Sequence, residues 1–302
     1  MIDRELLAQV RRIQVRTNRM VTDVMAGGYT SVFRGSGIEF DEVREFVDGD
    51  DFRAVDWNVT ARTGRPHIKK YMEERELTVL FLLDVSASTA FGTVERVGKD
   101  HPRSVRETAA EFCACLSLAA ARNNDKVGMI TFTDQVETYI PAKKGSQHVL
   151  RLIREALAAE GRGQQTNLAA ALDYAARVQR KRAVVFVVSD FLDDGGYSRA
   201  LKLLGRRHDV VAVRLLDPHS RELPDAGLLY LRDLESGAAR WVDSSSRGVR
   251  RAYADRVRAH DEAFVRELRK ARVDLLEIRP ERSIAEPIMK FFRMRELRGA
   301  HG

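Results

Sequence analysis

The sequence predicts an α/β protein: a doubly wound, mostly parallel sheet flanked by helices, preceded by an N-terminal helix and a small β-rich extension. Two observations predict the sheet. Five short apolar runs, "LTVLFLL" (77–83), "VGMITF" (127–132), "AVVFVV" (183–188), "VVAVRLL" (210–216) and "DLLEI" (274–278), have the length of strands, and the third is apolar on both faces. Runs of that kind mark strands covered from both sides. Helical stretches alternate with them, as crossover connections between parallel strands require.

In chain order, residues 3 to 21 place Leu6, Val10, Ile13 and the stretch from Thr17 to Met20 at helical spacing with Arg and Gln between. "AGGYTSVFRGSG" then brings four glycines within eleven residues, which ends that helix and predicts turns or a short hairpin. After the first sheet strand, "SVRETAAEFCACLSLAAARNN" opens with Ser104 and Glu107 in capping-box spacing and sets Val105, Ala109, Phe112, Leu116 and Ala119 on one face. "SQHVLRLIREALAAE" does the same with Val149, Ile153 and Leu157, and "TNLAAALDYAARVQR" with Leu168, Leu172 and Ala175. Residues 222 to 243 read as an antiparallel hairpin, "LLYLRD" against "ARWVD" around "ESG", added at the edge of the sheet. The end, "SIAEPIMKFFRMRELRG", predicts a helix packing Ile288, Phe291 and Phe292. The expected division is 1–76 for the N-terminal helix and extension and 77–302 for the main domain, hairpin and last helix included.

At 302 residues, with 44% hydrophobic and 31% charged residues, the chain is globular in composition. Its longest apolar runs fall short of the roughly 18 residues of a membrane span, and the charged start "MIDRELLAQVRRIQ" lacks the apolar stretch of a signal peptide. The expectation is a cytoplasmic protein. Cys113 and Cys115 stand two apart in a predicted helix with no metal-ligand partners nearby, and read as reduced, buried thiols. The formal charge of +7 is uneven: eight acids and two bases lie between Glu39 and Asp56, fifteen bases and nine acids between Arg247 and Arg298. The interspersed signs of the second region fit a solvated face, and no interleaving of aromatic and basic residues points to nucleic acid.

The chemistry lies after the first sheet strand. In an open α/β sheet, ligands bind beyond the carboxyl ends of the strands, where the winding reverses. "DVSAS" puts Asp84, Ser86 and Ser88 at such an end, Asp190 follows the most apolar strand, and Thr166 precedes a helix on the same edge. Carboxylates with hydroxyls suit a hard cation such as Mg²⁺, with Mn²⁺ or Ca²⁺ as alternatives. Two serines spaced by one residue on extended backbone turn to the same side and can reach one ion together. Taken alone, Asp84 also reads as a turn residue and the serines as ordinary loop residues.

The set of Asp84, Ser86, Ser88, Thr166 and Asp190 resembles the metal-ion-dependent adhesion site of von Willebrand factor A domains, D-x-S-x-S with a later Thr and Asp. The resemblance implies that these five hold the ion, some through water, and that a partner's carboxylate completes its shell. A second block, "VREFVDGDDFRAVDWNVTARTG" (43–64), places Arg44, Gly49, Asp50, Asp51, Arg53, Asp56, Trp57, Ala61 and Arg62 in the order of the bacterial domain-of-unknown-function-58 family. That resemblance implies a von Willebrand-type domain after the block and a role as a chaperone-like adaptor for a MoxR-type AAA+ ATPase acting on client proteins. Physically, the block reads as a paired network, Arg44, Arg53 and Arg62 against Asp50, Asp51 and Asp56, or as a partner surface, with Trp57 anchored on the main domain.

Two functions follow. The first is a non-enzymatic, metal-dependent interaction module. The alternative is a Mg²⁺-dependent phosphohydrolase with Asp84 as nucleophile, although such sites call for a second aspartate where Ser86 stands. The sequence holds no G-x-x-x-x-G-K-[ST], H-E-x-x-H or G-x-S-x-G.

Overall fold

A computed structural model describes residues 20–25, 39–47, 50–72, 77–93, 104–159, 161–193 and 196–300. They fall into two compact units, Phe33–Leu77 and the remainder of the chain. The helix expected over 3 to 21 lies outside the described residues except for Met20 and Val21, which are helical. The segment "AGGYTSVFRGSG" and Gly49 also lie outside them.

In the smaller unit, β1 (Glu39–Glu45) leads through a 3-10 turn and helix α1 (Trp57–Thr63) to β2 (His67–Met72), which pairs antiparallel with β1. Aspartates start both helical pieces. Asp51 accepts the Arg53 amide at 2.9 Å, and Asp56 accepts the amides of Asn58 at 3.0 Å and Val59 at 3.4 Å. These carboxylates satisfy amides that a helix start leaves without partners. Arg44 grips Asp50 with two parallel bonds of 2.8 and 2.7 Å, and the Val47 amide adds a third at 2.9 Å. So of the predicted Arg–Asp network, the Arg44–Asp50 pair forms. Asp51 and Asp56 cap helical starts, because an adjacent amide is held by the chain itself while a distant guanidinium must be ordered first. Among the described residues Arg53 and Arg62 make no ion pair, and Trp57 is 68% exposed.

The larger unit runs β3 (Thr78–Asp84), α2 (Val105–Arg122), β4 (Lys126–Phe132), β5 (Val136–Lys143), α3 (Ser146–Ala158), α4 (Leu168–Val178), β6 (Val184–Ser189), α5 (Ser198–Arg207), β7 (Asp209–Leu215), β8 (Leu228–Arg232), β9 (Ala239–Asp243), α6 (Arg247–Ala271), β10 (Asp274–Ile278) and α7 (Ala285–Ala300). Six strands form the central sheet in the order β10-β7-β6-β3-β4-β5. All its pairings are parallel except β4 with β5. This is the predicted mostly parallel α/β architecture. β4 and β6 flank β3 on opposite sides, so the winding reverses at β3 and opens a crevice beyond its carboxyl end.

The central strands bury both faces. On one face Phe81, Phe112 and Phe186 pack ring to ring, with centroids 5.6 Å apart for Phe81–Phe186 and 5.7 Å for Phe112–Phe186. Leu80, Leu82, Val185 and Val187 join a second cluster with Leu168, Leu172, Leu201, Leu204, Phe264 and Leu268. The predicted capping box holds at the start of α2: the Glu107 amide donates to Ser104 Oγ at 3.1 Å, and the Ser104 amide to Glu107 Oε2 at 3.2 Å. Cys113 and Cys115 are buried in α2, and burial raises both thiols, Cys115 to about 12.

Two features depart from the predictions. β5, "VETYIPAK", is a sheet strand that the apolar pattern did not mark. The hairpin β8–β9 pairs the two expected segments, with Tyr230 opposite Trp241, but it forms a two-stranded sheet of its own and not an edge addition. The basic stretch after Arg247 is largely one helix of 25 residues, buried only at Phe264, Leu268 and Ala271. Its outer face carries close-spaced pairs such as Arg251–Asp255 and Lys270–Glu267, a solvated surface as predicted.

The last helix, α7, buries Ile288, Phe291 and Phe292. Arg295 ties it to the sheet, binding both Asp209 oxygens at 2.8 and 2.7 Å and Asp274 Oδ2 at 2.8 Å, with its guanidinium 5.0 Å from the Phe291 ring centre. Those aspartates begin β7 and β10, so one side chain fixes two strands and a helix. Arg295→Ala leaves Asp209 without its guanidinium partner and Asp274 with Arg298, 3.1 Å away, and is expected to cost about 3 kcal/mol. Arg295→Lys should recover only part of that, because an ammonium cannot reproduce the fork. Denaturant unfolding followed by circular dichroism measures both.

Candidate functional site at the carboxyl edge of the sheet

β3 and β6 are parallel neighbours in register, Leu83 opposite Val188, so their carboxyl ends finish side by side. Asp84 closes β3, and Ser189 and Asp190 close β6. Asp84 is fully buried. Its Oδ1 accepts the Ser86 amide at 2.9 Å and its Oδ2 accepts the Ser189 hydroxyl at 2.6 Å. Ser86 Oγ lies 3.1 Å from Ser88 Oγ, and the Asp190 carboxyl accepts the Leu192 amide at 3.2 Å. A chain of polar contacts therefore runs from Asp84 through Ser86 to Ser88, with Asp190 beside it as the next charged group.

Thr166 stands apart from this chain. Its hydroxyl donates to Glu235 Oε1 at 2.7 Å, and among the described residues no hydrogen bond links it directly to the other four. Glu235 comes from the tip of the β8–β9 hairpin and feels the negative charge of Asp190. Sequence reasoning missed Glu235, and it noted Ser189 only as the neighbour of Asp190.

The loop after β3 is held in shape by its own backbone and by one arginine. The Val85 amide donates to Phe132 O at 2.9 Å and the Ala87 amide to Gln164 O at 3.1 Å. Thr89 Oγ1 donates to Ser86 O at 2.8 Å. Arg106, from α2, donates to the carbonyls of Val85 and Ser86, both at 2.9 Å, and to Thr89 Oγ1 at 3.2 Å. The "GRG" turn before Thr166 presses against the same loop. A Cβ on Gly161 would collide with the Val85 carbonyl and the Thr133 methyl, so only glycine allows this approach.

Carboxylates dominate the electrostatics of the site, with His260 acting against them at Asp190. Burial, then repulsion from Asp190, pushes the Asp84 carboxyl up to about 7. Burial likewise raises Asp190, which Ser88 and the Leu192 amide partly offset. One buried and one half-buried carboxylate, with the hydroxyls of Ser86 and Ser88 beside them, form an all-oxygen donor set whose charge a hard divalent cation would balance. Among the described residues no group of three or more His, Cys, Asp or Glu side chains is placed to hold a metal. An ion at this edge would therefore depend on Ser86, Ser88 and Thr166 as well as on the two acids.

Fold and site together define an α/β sheet protein with a buried, oxygen-rich acidic cluster at its winding reversal. Residues 42–263 match the family described as "Protein of unknown function DUF58", and the chain belongs to that family. Uncharacterized proteins of Mycobacterium tuberculosis (Rv1480) and Mycobacterium bovis (Mb1516) are each 32% identical over 302 residues, covering 99% of this chain and 92% of theirs. Among solved structures, BatB from Bacteroides thetaiotaomicron is 20% identical at a TM-score of 0.45, covering 75% of this chain and 100% of that one. An aerotolerance-related membrane protein from Bacteroides fragilis is 20% identical at 0.43, covering 74% and 99%. The SpRpn10 VWA domain is 11% identical at 0.36, covering 72% and 95%.

The cytoplasmic expectation is corrected here, since a structural neighbour is described as a membrane protein. Among the described residues no helix is long and apolar enough to cross a membrane. That excludes only a helical crossing by those residues; a protein can work at a membrane without one, which is why short apolar runs did not fix the location.

The raised Asp84 makes a pH prediction. A carboxyl whose folded value lies above its unfolded one binds its proton more tightly in the folded state, so folding is favoured below both values. With a chelator present, stability should fall as pH rises from 3.8 through about 7. Asp190 and Glu235, whose carboxyls burial also raises, share in that limb. Asp84→Asn should flatten it, as read from thermal midpoints across pH.

Proposed function

We propose that the protein is a metal-dependent protein-interaction module. Asp84, Ser86, Ser88 and Asp190, with Thr166, would hold Mg²⁺, or Mn²⁺ or Ca²⁺ in its place. The bound ion would supply a localised positive charge able to receive a carboxylate from a partner protein. The single observation that carries this reading is the pair of carboxylates, buried Asp84 and half-buried Asp190, that meet at the ends of β3 and β6 with the hydroxyls of Ser86 and Ser88 3.1 Å apart on the same loop.

The chain's own residues have distinct parts in this reading. Asp84 and Asp190 carry the charge, Ser86 and Ser88 place hydroxyls beside them, and Ser189 orients the Asp84 carboxyl from the β6 side. Arg106 and Gly161 keep the loop pressed to the sheet edge. The partner we propose is a MoxR-type AAA+ ATPase, with this protein as its adaptor in assembling or activating client proteins. Membership of the DUF58 family supports that partnership.

The phosphohydrolase reading finds less support. Asp84 has no exposed surface that a group as large as a phosphoryl could reach, and Ser86 stands where such a site needs a second aspartate.

If the reading holds, Mg²⁺ at a hundredfold excess over its Kd stabilises the wild-type chain by about 2.7 kcal/mol. Asp84→Ala should remove that increment, and should also end any partner capture that a chelator abolishes. Capture of the same proteins in the same amounts by wild type, by Asp84→Ala and in chelator would overturn it.

A further inference from the structure

We infer that Glu235 is an internal carboxylate that occupies the place where a partner's carboxylate is received, so that the β8–β9 hairpin keeps the site closed until an outside acid displaces it. The inference rests on the metal-dependent reading above and adds a competitor built into the chain. Its geometric basis is the 2.7 Å bond from Thr166 Oγ1 to Glu235 Oε1, spanning 69 residues of sequence. Among the described residues Thr166 makes no direct hydrogen bond to the other four proposed site residues. Its hydroxyl is taken by a carboxylate, the group a partner would bring.

The hairpin tip is built to present that side chain. Asp233 Oδ1 accepts the amides of Glu235 at 3.0 Å and Ser236 at 2.6 Å, and the Ser236 hydroxyl at 2.8 Å. Gly237 closes the turn at φ +71°, a left-handed conformation that suits glycine. These bonds fix the turn without using the Glu235 side chain, which is left to reach Thr166. The neighbouring hairpin residues Arg232 and Leu234 line a cavity of about 340 Å³ together with Val85, Ala87, Arg106 and Gln164. The tip therefore lies over the loop that carries Ser86 and Ser88.

The hairpin also suits a part that moves. It is a two-stranded sheet unpaired with the central one, and such a unit is weakly held unless packed. Leu228, Tyr230 and Trp241 are 62%, 60% and 64% exposed on its strands, so little apolar burial ties it down. Glu235 meanwhile sits where the charge of Asp190 repels it. A carboxylate stays in such a place when an attraction from the site outweighs that repulsion.

The test uses the full chain loaded with Mn²⁺, acetate as the outside carboxylate, and water-proton relaxation at the bound ion as the readout. In wild type, acetate has to compete with a tethered carboxylate, whose effective concentration is of millimolar order or higher. Glu235→Gln should therefore respond to acetate at about tenfold lower concentration than wild type, with Glu235→Ala behaving alike. Equal acetate responses in wild type and both variants would overturn this inference and leave the metal reading intact. Failure of wild type itself to bind Mn²⁺ would overturn both. Because Asp233 and Gly237 define the turn, the variants should keep the wild-type circular dichroism. A variant that binds Mn²⁺ as wild type does but loses the acetate response altogether would also count against the inference, since it would make Glu235 part of acetate binding and not its competitor.

Discussion

Parallel pairing between β3 and β6 sets the terms for everything at the sheet edge. Because Leu83 lies opposite Val188, the next polar residues on both strands emerge at one place, and one buried and one half-buried acid meet beside the same serines. Like charges in a poorly solvated place repel, and each would give up its charge if nothing offset the cost. The arginine of this loop, Arg106, donates to the Val85 and Ser86 carbonyls, which fixes the loop's shape, and the charge of His260 offsets only part of the rise in Asp190. The arrangement is therefore costly as a purely structural device and sensible as the protein half of a charged site.

The rest of the larger unit can be understood as what makes that cost bearable. β3 and β6 are covered on both faces by aromatic and aliphatic clusters, so their ends are rigid and the acids cannot relax into solvent. α2, with its reciprocal cap, points Arg106 at the loop from a fixed base. The Gly161 turn fills the space behind Val85 so closely that no side chain fits. At the far end of the sheet, Arg295 binds the first residues of β7 and β10, locking the amino ends of two strands and leaving their carboxyl ends to the functional edge.

How much of this could be read from the sequence depended on whether the signal was local. The four inner strands, β3, β4, β6 and β7, were legible because burial on both faces writes itself as a nearly continuous apolar run, and edge strand β10 kept enough of that pattern to show. β5 was not legible: "VETYIPAK" is an edge strand with polar residues and a proline, a pattern that reads as loop. The hairpin's pairing was legible from "LLYLRD" and "ARWVD", but its attachment was not, since alternation along a strand does not say which sheet it joins. In the smaller unit, arginines and aspartates in alternation suggested pairs, yet Asp51 and Asp56 went to the nearest backbone amides. At the site, Asp84, Ser86, Ser88 and Asp190 stood out because strand ends mark the functional edge. Glu235 carried no mark at all, being a glutamate in a turn 45 residues beyond Asp190 in the chain, and only the folded chain brings it to Thr166.

That last contact bears on how an acidic site of this kind can be both stable and responsive. A hydrogen bond to a charged group contributes about 1.5–3 kcal/mol, which corresponds to roughly a ten- to hundredfold preference. A latch of that strength, borne by a hairpin with little buried surface, would exclude stray carboxylates that arrive one at a time. It would yield to a partner that brings its own acid together with contacts elsewhere, because those contacts add to the competition while the latch's contribution stays fixed. The exposed Tyr230 and Trp241, ring centres 5.0 Å apart on the same hairpin, lie on the element that must move. A partner's grip on the hairpin and its occupation of the sheet edge would then be one event, which is how a site with few distinguishing side chains can select a protein over a free acid.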